Sequence, residues 1–201
     1  MTEETAVHVV RHGRTALNEQ GRFRGLHDVP LDDRGLTEAD ALARSFERRS
    51  IVGAFFSPLT RARETAEPIA RRLGIDALPV EGLLDLDHGE WTGLTAEEAE
   101  RLDQKEFARF RWDPRASTPP GGEPLIEVER RIVGAIDELG RQYPSREIVV
   151  VSHEIPIRLL LSHVTGLDGV GVWNIPLPTG SVTRLRGSVG SWRVDGGPAV
   201  P

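Results

Sequence analysis

Two short apolar runs that each end in a polar residue and then a histidine set the frame into which this chain must fold. Residues 6–10 (AVHVV) lead into Arg11, His12 and Gly13, and residues 147–151 (EIVVV) lead into Ser152, His153 and Glu154. Runs this short and this rich in β-branched residues suit a pleated, buried surface, so both are predicted as core strands opening into polar loops. Helical stretches alternate with them. Thr37 is expected to cap a helix to about Arg49, and residues 51–56 form a strand. Ser57-Pro58 starts a helix that Pro68 kinks or interrupts and Gly74 ends. A long amphipathic helix covers about Leu125 to Tyr143, a shorter one about Pro156 to Val164, and strands at 182–185 and 192–194 complete the sheet. Such alternation predicts an α/β fold, a three-layer sandwich with a mostly parallel central sheet flanked by helices on both faces. Ligands of these sheets bind beyond the carboxyl ends of the strands, where both histidines fall despite their separation in the chain.

The 201 residues are read as one domain, 1–201. Within it, about 95–124 is a covering insertion, in which the capping-box pair Thr95 and Glu98 opens one polar helix to about Phe110, after which proline and glycine dominate through Pro124. About 187–201 is a C-terminal tail whose Gly/Pro-rich last residues are expected to fray.

Composition removes several chemistries. With no cysteine there are no disulfides, thiolate nucleophiles or cysteine metal sites. A net charge of -6 argues against nucleic acid as partner, and no apolar run approaches membrane-spanning length. The N-terminus lacks a basic stretch followed by an apolar one, so a cytoplasmic protein is expected. Lys105, the only lysine, lies outside any glycine-rich loop, which excludes a Walker-type nucleotide site. His153-Glu154 begins like a zinc-protease motif, but Ile157 stands where the second histidine belongs. His8 and His12 share a strand face but are too far apart to chelate one ion. No metal and no cofactor is expected. Nearly all positive charge is arginine, the side chain whose planar fork matches phosphate.

Attack on a phosphate monoester needs a nucleophile, cationic donors for the phosphoryl oxygens and an acid for the leaving alkoxide. His12 can be that nucleophile if its other ring nitrogen donates to a fixed acceptor, which the sequence does not reveal. The motif Val10-Arg11-His12-Gly13-Arg14-Thr15 resembles the signature of the histidine phosphatase superfamily, in its phosphoglycerate-mutase-like branch. Asn18, Gly21-Arg22, Gly25 and Asp28-Val29-Pro30-Leu31 are similar to the loop that follows, with Arg14 and Arg24 as departures from its usual acid or glutamine. Ser57-Pro58-Leu59-Thr60-Arg61-Ala62, with Thr65-Ala66, resembles the segment bearing a second phosphate-binding arginine. That arginine maps onto Arg61, and Arg63, two positions on, points to another helix face. Residues 84–93 (LDLDHGEWTG) resemble the segment with the proton donor, a place held here by Asp85, with Asp87 as its rival. Pro120-Gly121-Gly122-Glu123 and Val151-Ser152-His153-Glu154 complete the pattern, and Glu154 stands where many relatives have glycine.

The resemblance spans about nine-tenths of the chain. It implies a metal-independent phosphomonoester hydrolase acting through phosphohistidine on a small phosphorylated metabolite. Arg11, Arg61 and His153 are then the phosphate clamp, His12 the nucleophile and Asp85 the acid, with Asn18, Arg24 and Glu154 as further substrate-binding residues. A cofactor-dependent phosphoglycerate mutase and a non-catalytic phosphate-binding regulator are the alternatives. Arg22, Arg24, Arg109, Arg111 and Arg115 can read a second anionic group or simply be solvated surface. Trp91, Phe110 and Trp112 can wall the pocket or fill the core, and His27, His88 and His163 are read as surface or satisfied core residues. The partner implied is a phosphomonoester, with no nucleic acid and no membrane, and a homodimer stays open.

Overall fold

A computed structural model describes residues 4–199; residues 1–3 and 200–201, which include the start of the N-terminal reading and the end of the expected tail, lie outside the described residues. The first strand, β1 (Thr5–Arg11), is buried along its whole length. After a short α1 (Ala16–Glu19) comes α2 (Asp33–Phe46), which starts one turn earlier than expected. Asp32, not Thr37, is its cap, its carboxylate accepting from the Gly35 amide at 2.8 Å, while Thr37 donates to the Asp33 carbonyl inside the helix. Next are β2 (Ile51–Phe56) and α3 (Thr60–Leu73). Leu59 is the cap of α3, so Ser57 and Pro58 precede the helix rather than begin it. Pro68 does not interrupt it, because Ala62, Thr65, Ala66, Ile69 and Ala70 anchor both halves against the sheet; Gly74, at φ 69°, ends it.

The short edge strand β3 (Ala77–Pro79), too brief for a periodic signal, follows. The covering region holds two helices, α4 (Ala96–Leu102) and α5 (Gln104–Trp112), where the sequence predicts one. Asp103 breaks them apart and caps the second through the Glu106 amide at 2.9 Å. Then come α6 (Leu125–Gln142), β4 (Glu147–Ser152) and α7 (Glu154–Thr165), the last beginning directly after His153 rather than near Pro156. The hairpin β5 (Val182–Ser188) and β6 (Ser191–Ala199) closes the chain. The expected frayed tail is therefore corrected: β6 pairs with β5 out to Ala199, and Trp192 pins it by donating from Nε1 to Asp137 of α6 at 2.8 Å.

The sheet runs β3-β2-β4-β1-β5-β6, parallel across its first four strands and antiparallel across the last two. Alternation along the strands sends Val7, Val9, Ile148 and Val150 toward Ile132 and Ile136 of α6 and Leu160 of α7. Val10, Val149 and Val151 meet Leu42, Phe46 and Ile69 of α2 and α3 on the other face. Each such side chain contributes about 1.5–3 kcal/mol by leaving water. A third cluster, with Leu86, Trp91, Phe107, Phe110, Leu125 and Leu159, fastens the covering helices to α6 and α7. Trp91 and Phe110 are thus core, whereas Trp112 is 66% exposed. Among the described residues no helix is long and apolar enough to cross a membrane.

Candidate active site

Register brings the two histidines together. In the parallel pairing of β1 with β4, Arg11 lies opposite Ser152, so the residues that follow leave the sheet side by side. The His12 and His153 rings stand 5.1 Å apart between centroids, tilted by 55°, and both are fully buried. A tight loop supports the turn after β1. A Cβ on Gly13 would lie 2.7 Å from the Gly35 carbonyl oxygen, so only glycine allows this approach. Thr65 fastens the turn, accepting from the Gly13 amide at 3.0 Å and donating to the Arg61 carbonyl at 2.7 Å.

The acceptor that the sequence leaves open is the Gly13 carbonyl, 2.7 Å from His12 Nδ1. With the proton on Nδ1, the lone pair sits on Nε2, which is buried and has no partner among the described residues. Burial, reinforced by the Arg61, Arg24 and Arg11 charges, holds the His12 pKa well below its ordinary value, so the ring is neutral at physiological pH. His153 is likewise held well below, first by burial and then by Arg61, His12, Arg24 and Arg131, but its nitrogens are occupied. Arg61 Nε donates to its Nδ1 at 3.2 Å, so its Nε2–H donates to Ser57 Oγ at 2.7 Å.

Arg61 is fully buried on the first turn of α3, while Arg63 is exposed and 4.0 Å from Glu67. Besides His153, Arg61 donates to the His27 carbonyl at 3.0 Å, the Gly25 carbonyl at 2.7 Å and Asp85 Oδ2 at 3.0 Å. Asp85 is 2% exposed, and its Oδ1 accepts from the Leu86 amide at 2.9 Å. Its rival Asp87 instead staples its own loop, accepting from the Gly89 amide at 2.9 Å. That loop is pinned by Arg131 of α6, which donates to the Leu84 carbonyl at 2.6 Å and the Asp85 carbonyl at 2.8 Å while gripping Glu123 at 2.8 and 2.9 Å.

Arg11 donates from Nη1 to the Leu177 carbonyl and from Nη2 to Glu154 at 2.6 Å, which leaves its buried Nε without a partner. Burial draws its pKa down to about 10, still charged at neutral pH. Arg24 is more unusual. Its side chain is only 12% exposed, its buried Nε has no partner, and its nearest carboxylate is Glu154 at 4.0 Å. With that donor free and no carboxylate within hydrogen-bond distance, this guanidinium can receive an arriving anion.

Asn18 has only its oxygen engaged, and its Nδ2 donors have no partner among the described residues. Its Oδ1 accepts from the Thr15 amide at 3.0 Å and hydroxyl at 2.9 Å in the capping box of α1. Of the other arginines considered as anion readers, Arg22 holds Glu98 and the Gly93 carbonyl, Arg109 holds Glu106, and Arg115 holds Glu129 and Asp168; Arg111 is exposed. His8 pairs with Glu147, and His163 with Glu129, at 3.0 and 3.2 Å. His88 is buried against Phe23, with ring centroids 4.6 Å apart, and burial lowers its pKa to about 4. Ser57, Thr65 as a turn fastener, Glu123 and Arg131 were missed as site residues. A serine before proline reads as a helix start, and the reach of Arg131 across to the loop has no local signature.

A neutral, unpartnered imidazole among buried guanidinia at the carboxyl ends of parallel strands defines a class of protein, an α/β enzyme of phosphoryl-group chemistry. The model of the histidine phosphatase superfamily (branch 1) matches residues 7–196, and the chain belongs to that family. The chain is 31% identical to phosphoserine phosphatase 1 of Hydrogenobacter thermophilus over 178 residues, covering 89% of this chain and 84% of that protein. Among solved structures it is similar to YhfR of Bacillus stearothermophilus, with a TM-score of 0.90, 26% identity and 98% of each chain covered. It is also similar to the mycobacterial glucosyl-3-phosphoglycerate phosphatase, with a TM-score of 0.86 and 26% identity over 98% of this chain and 99% of that one. The chain is a phosphatase, a hydrolase of phosphomonoesters.

Proposed function

We propose that hydrolysis proceeds in two steps through phosphohistidine at His12 Nε2, on a small-molecule phosphomonoester. The observation that carries this is the buried His12 Nε2, without a partner, beside the unpartnered Nε atoms of Arg11 and Arg24. In the first step the Nε2 lone pair forms a bond to phosphorus while the ester P–O bond breaks in line with it. Asp85 gives its proton to the leaving oxygen. In the resting site Asp85 shares Arg61 as a carboxylate. The proton that Asp85 delivers enters with the substrate or from solvent, and the arriving phosphoryl group shares Arg61 with the carboxylate. The Nδ1–H···O=C bond to Gly13 supports the positive charge that develops on the ring. Arg11 and Arg24 supply free donors to the phosphoryl oxygens, and Arg61 and His153 add fixed charge and dipole where negative charge grows. In the second step water attacks phosphorus, Asp85 takes its proton and the P–N bond breaks, returning neutral His12.

Water rather than a second hydroxyl is the acceptor favoured by the phosphatase names of the relatives. A pocket kept only for binding does not require a nucleophile with a free lone pair. The test is phosphate release from p-nitrophenyl phosphate without added metal, compared with His12→Ala. Release that disappears in the variant supports the reading, and equal release from a clean variant contradicts it.

A further inference from the structure

Glu154 places a fixed negative charge among the arginines that await the substrate. Its Oε2 accepts from Arg11 Nη2 at 2.6 Å and lies 4.0 Å from Arg24 Nη2. Its Oε1 accepts from Arg158 Nε at 3.2 Å and Nη2 at 2.9 Å. Arg158 is itself anchored, donating from Nη1 to the Trp173 carbonyl at 2.8 Å, the Val172 carbonyl at 3.3 Å and the Ile175 carbonyl. Glu154 therefore cannot swing away without breaking two ion pairs. Burial works against its charge, but Arg11, Arg158 and Arg24 outweigh it and hold the carboxyl below its usual range. The side chain remains 27% exposed, and Oε2 keeps a lone pair for another donor.

The charge balance of the site gives this carboxylate its meaning. Four guanidinia (Arg11, Arg24, Arg61 and Arg158) surround two carboxylates (Asp85 and Glu154), and both histidines are neutral. Two positive charges remain in the resting site, and the unpartnered Nε donors belong to Arg11 and Arg24. A carboxylate on the leaving alcohol finds Arg158 already committed and the free donors of Arg11 and Arg24 taken by the phosphoryl group. Beside those donors stands Glu154, of the same sign, with an open lone pair on Oε2. An ammonium on that alcohol meets the same lone pair as a partner.

Resting on the phosphatase reading above, we infer that Glu154 is a specificity-determining residue that favours phosphomonoesters whose alcohol carries a positively charged amine and disfavours those whose alcohol carries a carboxylate. The test compares kcat/KM for ethanolamine phosphate, glycerol phosphate and 3-phosphoglycerate, with p-nitrophenyl phosphate as reference, in wild type, Glu154→Gln and Glu154→Asp. The wild type is expected to rank them in that order, with about tenfold or more between first and last, as a charge pair at partial exposure allows. Glu154→Gln should collapse the ratio toward one, whereas Glu154→Asp, which keeps the charge, should keep the order. A purely structural role in holding Arg11 lowers all the esters together, and an unchanged ratio in Glu154→Gln would overturn the inference. In wild type alone, inhibition of p-nitrophenyl phosphate turnover by the three esters should follow the same ranking. A reversed ranking overturns the inference whether or not the variants fold. Wild type inactive on every ester, p-nitrophenyl phosphate included, overturns the phosphatase reading and this inference with it.

Discussion

The ends of β1 and β4 are built alike and work differently. Both strands are buried, adjacent and parallel, and both deliver a fully buried, neutral histidine to the same point. At the end of β1 the turn folds back so that His12 Nδ1 spends its proton on the neighbouring carbonyl, and Nε2 is left bare. At the end of β4 the chain enters α7 at once, and His153 is held from outside by Arg61 and Ser57. One ring keeps a nitrogen without a partner among the described residues; the other has both nitrogens occupied. The difference lies in what occupies the nitrogens, which register and neighbouring elements decide rather than the strand–histidine motif.

If that contrast is right, the two histidines should fail differently. His12→Ala should lower kcat by about 10⁴-fold or more, because the other histidine of the pair has both ring nitrogens occupied. His153→Ala should cost about 10²–10³-fold, the usual loss when one fixed electrostatic partner is removed. Equal losses in steady-state kinetics would erase the distinction. Asp85→Asn tests the proton donor. Its cost should be about 10²-fold or more for alkyl phosphates and much smaller for p-nitrophenyl phosphate, whose leaving group needs little protonation. A loss independent of the leaving group would return Asp85 to an orienting role beside Arg61.

Ser57→Ala frees one side of His153 and should cost about tenfold in kcat/KM, the worth of a buried hydrogen bond. The smallest effect is on stability. His8, His12, His88 and His153 all have folded pKa values below that of a free histidine. Below the free value the unfolded chain binds protons that the folded chain refuses, so stability present near neutral pH is lost as pH falls. Each histidine contributes a slope of about 1.4 kcal/mol per pH unit over its window. For His88 that window runs from the free value down to about 4. Urea melts of His88→Phe should therefore lose about 2 kcal/mol less than wild type between about pH 7 and pH 5. Parallel pH profiles would contradict its neutral burial.

The layered fold and the parallel central strands were legible because the apolar runs are short, buried and separated by amphipathic helices. The site was legible where it lies at strand ends or in contiguous motifs, as for Arg11, His12, Arg61, Asp85 and His153. It was not legible where side chains reach across the fold. Arg131 supports the Asp85 loop from a helix far along the chain. The carboxyl end of the sheet was misread because glycine and proline suggest fraying, yet β6 has a partner in β5 and an anchor in Trp192. The start of α2 was misplaced because Thr37 masked the stronger cap at Asp32.

The central claim, that His12 and not His153 carries the phosphoryl group, is tested most directly by quenching turnover of a labelled phosphomonoester in alkali and locating the label by peptide mapping. The account expects an acid-labile, alkali-stable label on the His12 peptide in wild type and in His153→Ala, and none in His12→Ala. Label on the His153 peptide, or phosphate release at full rate with no labelled enzyme under single-turnover conditions, would contradict it.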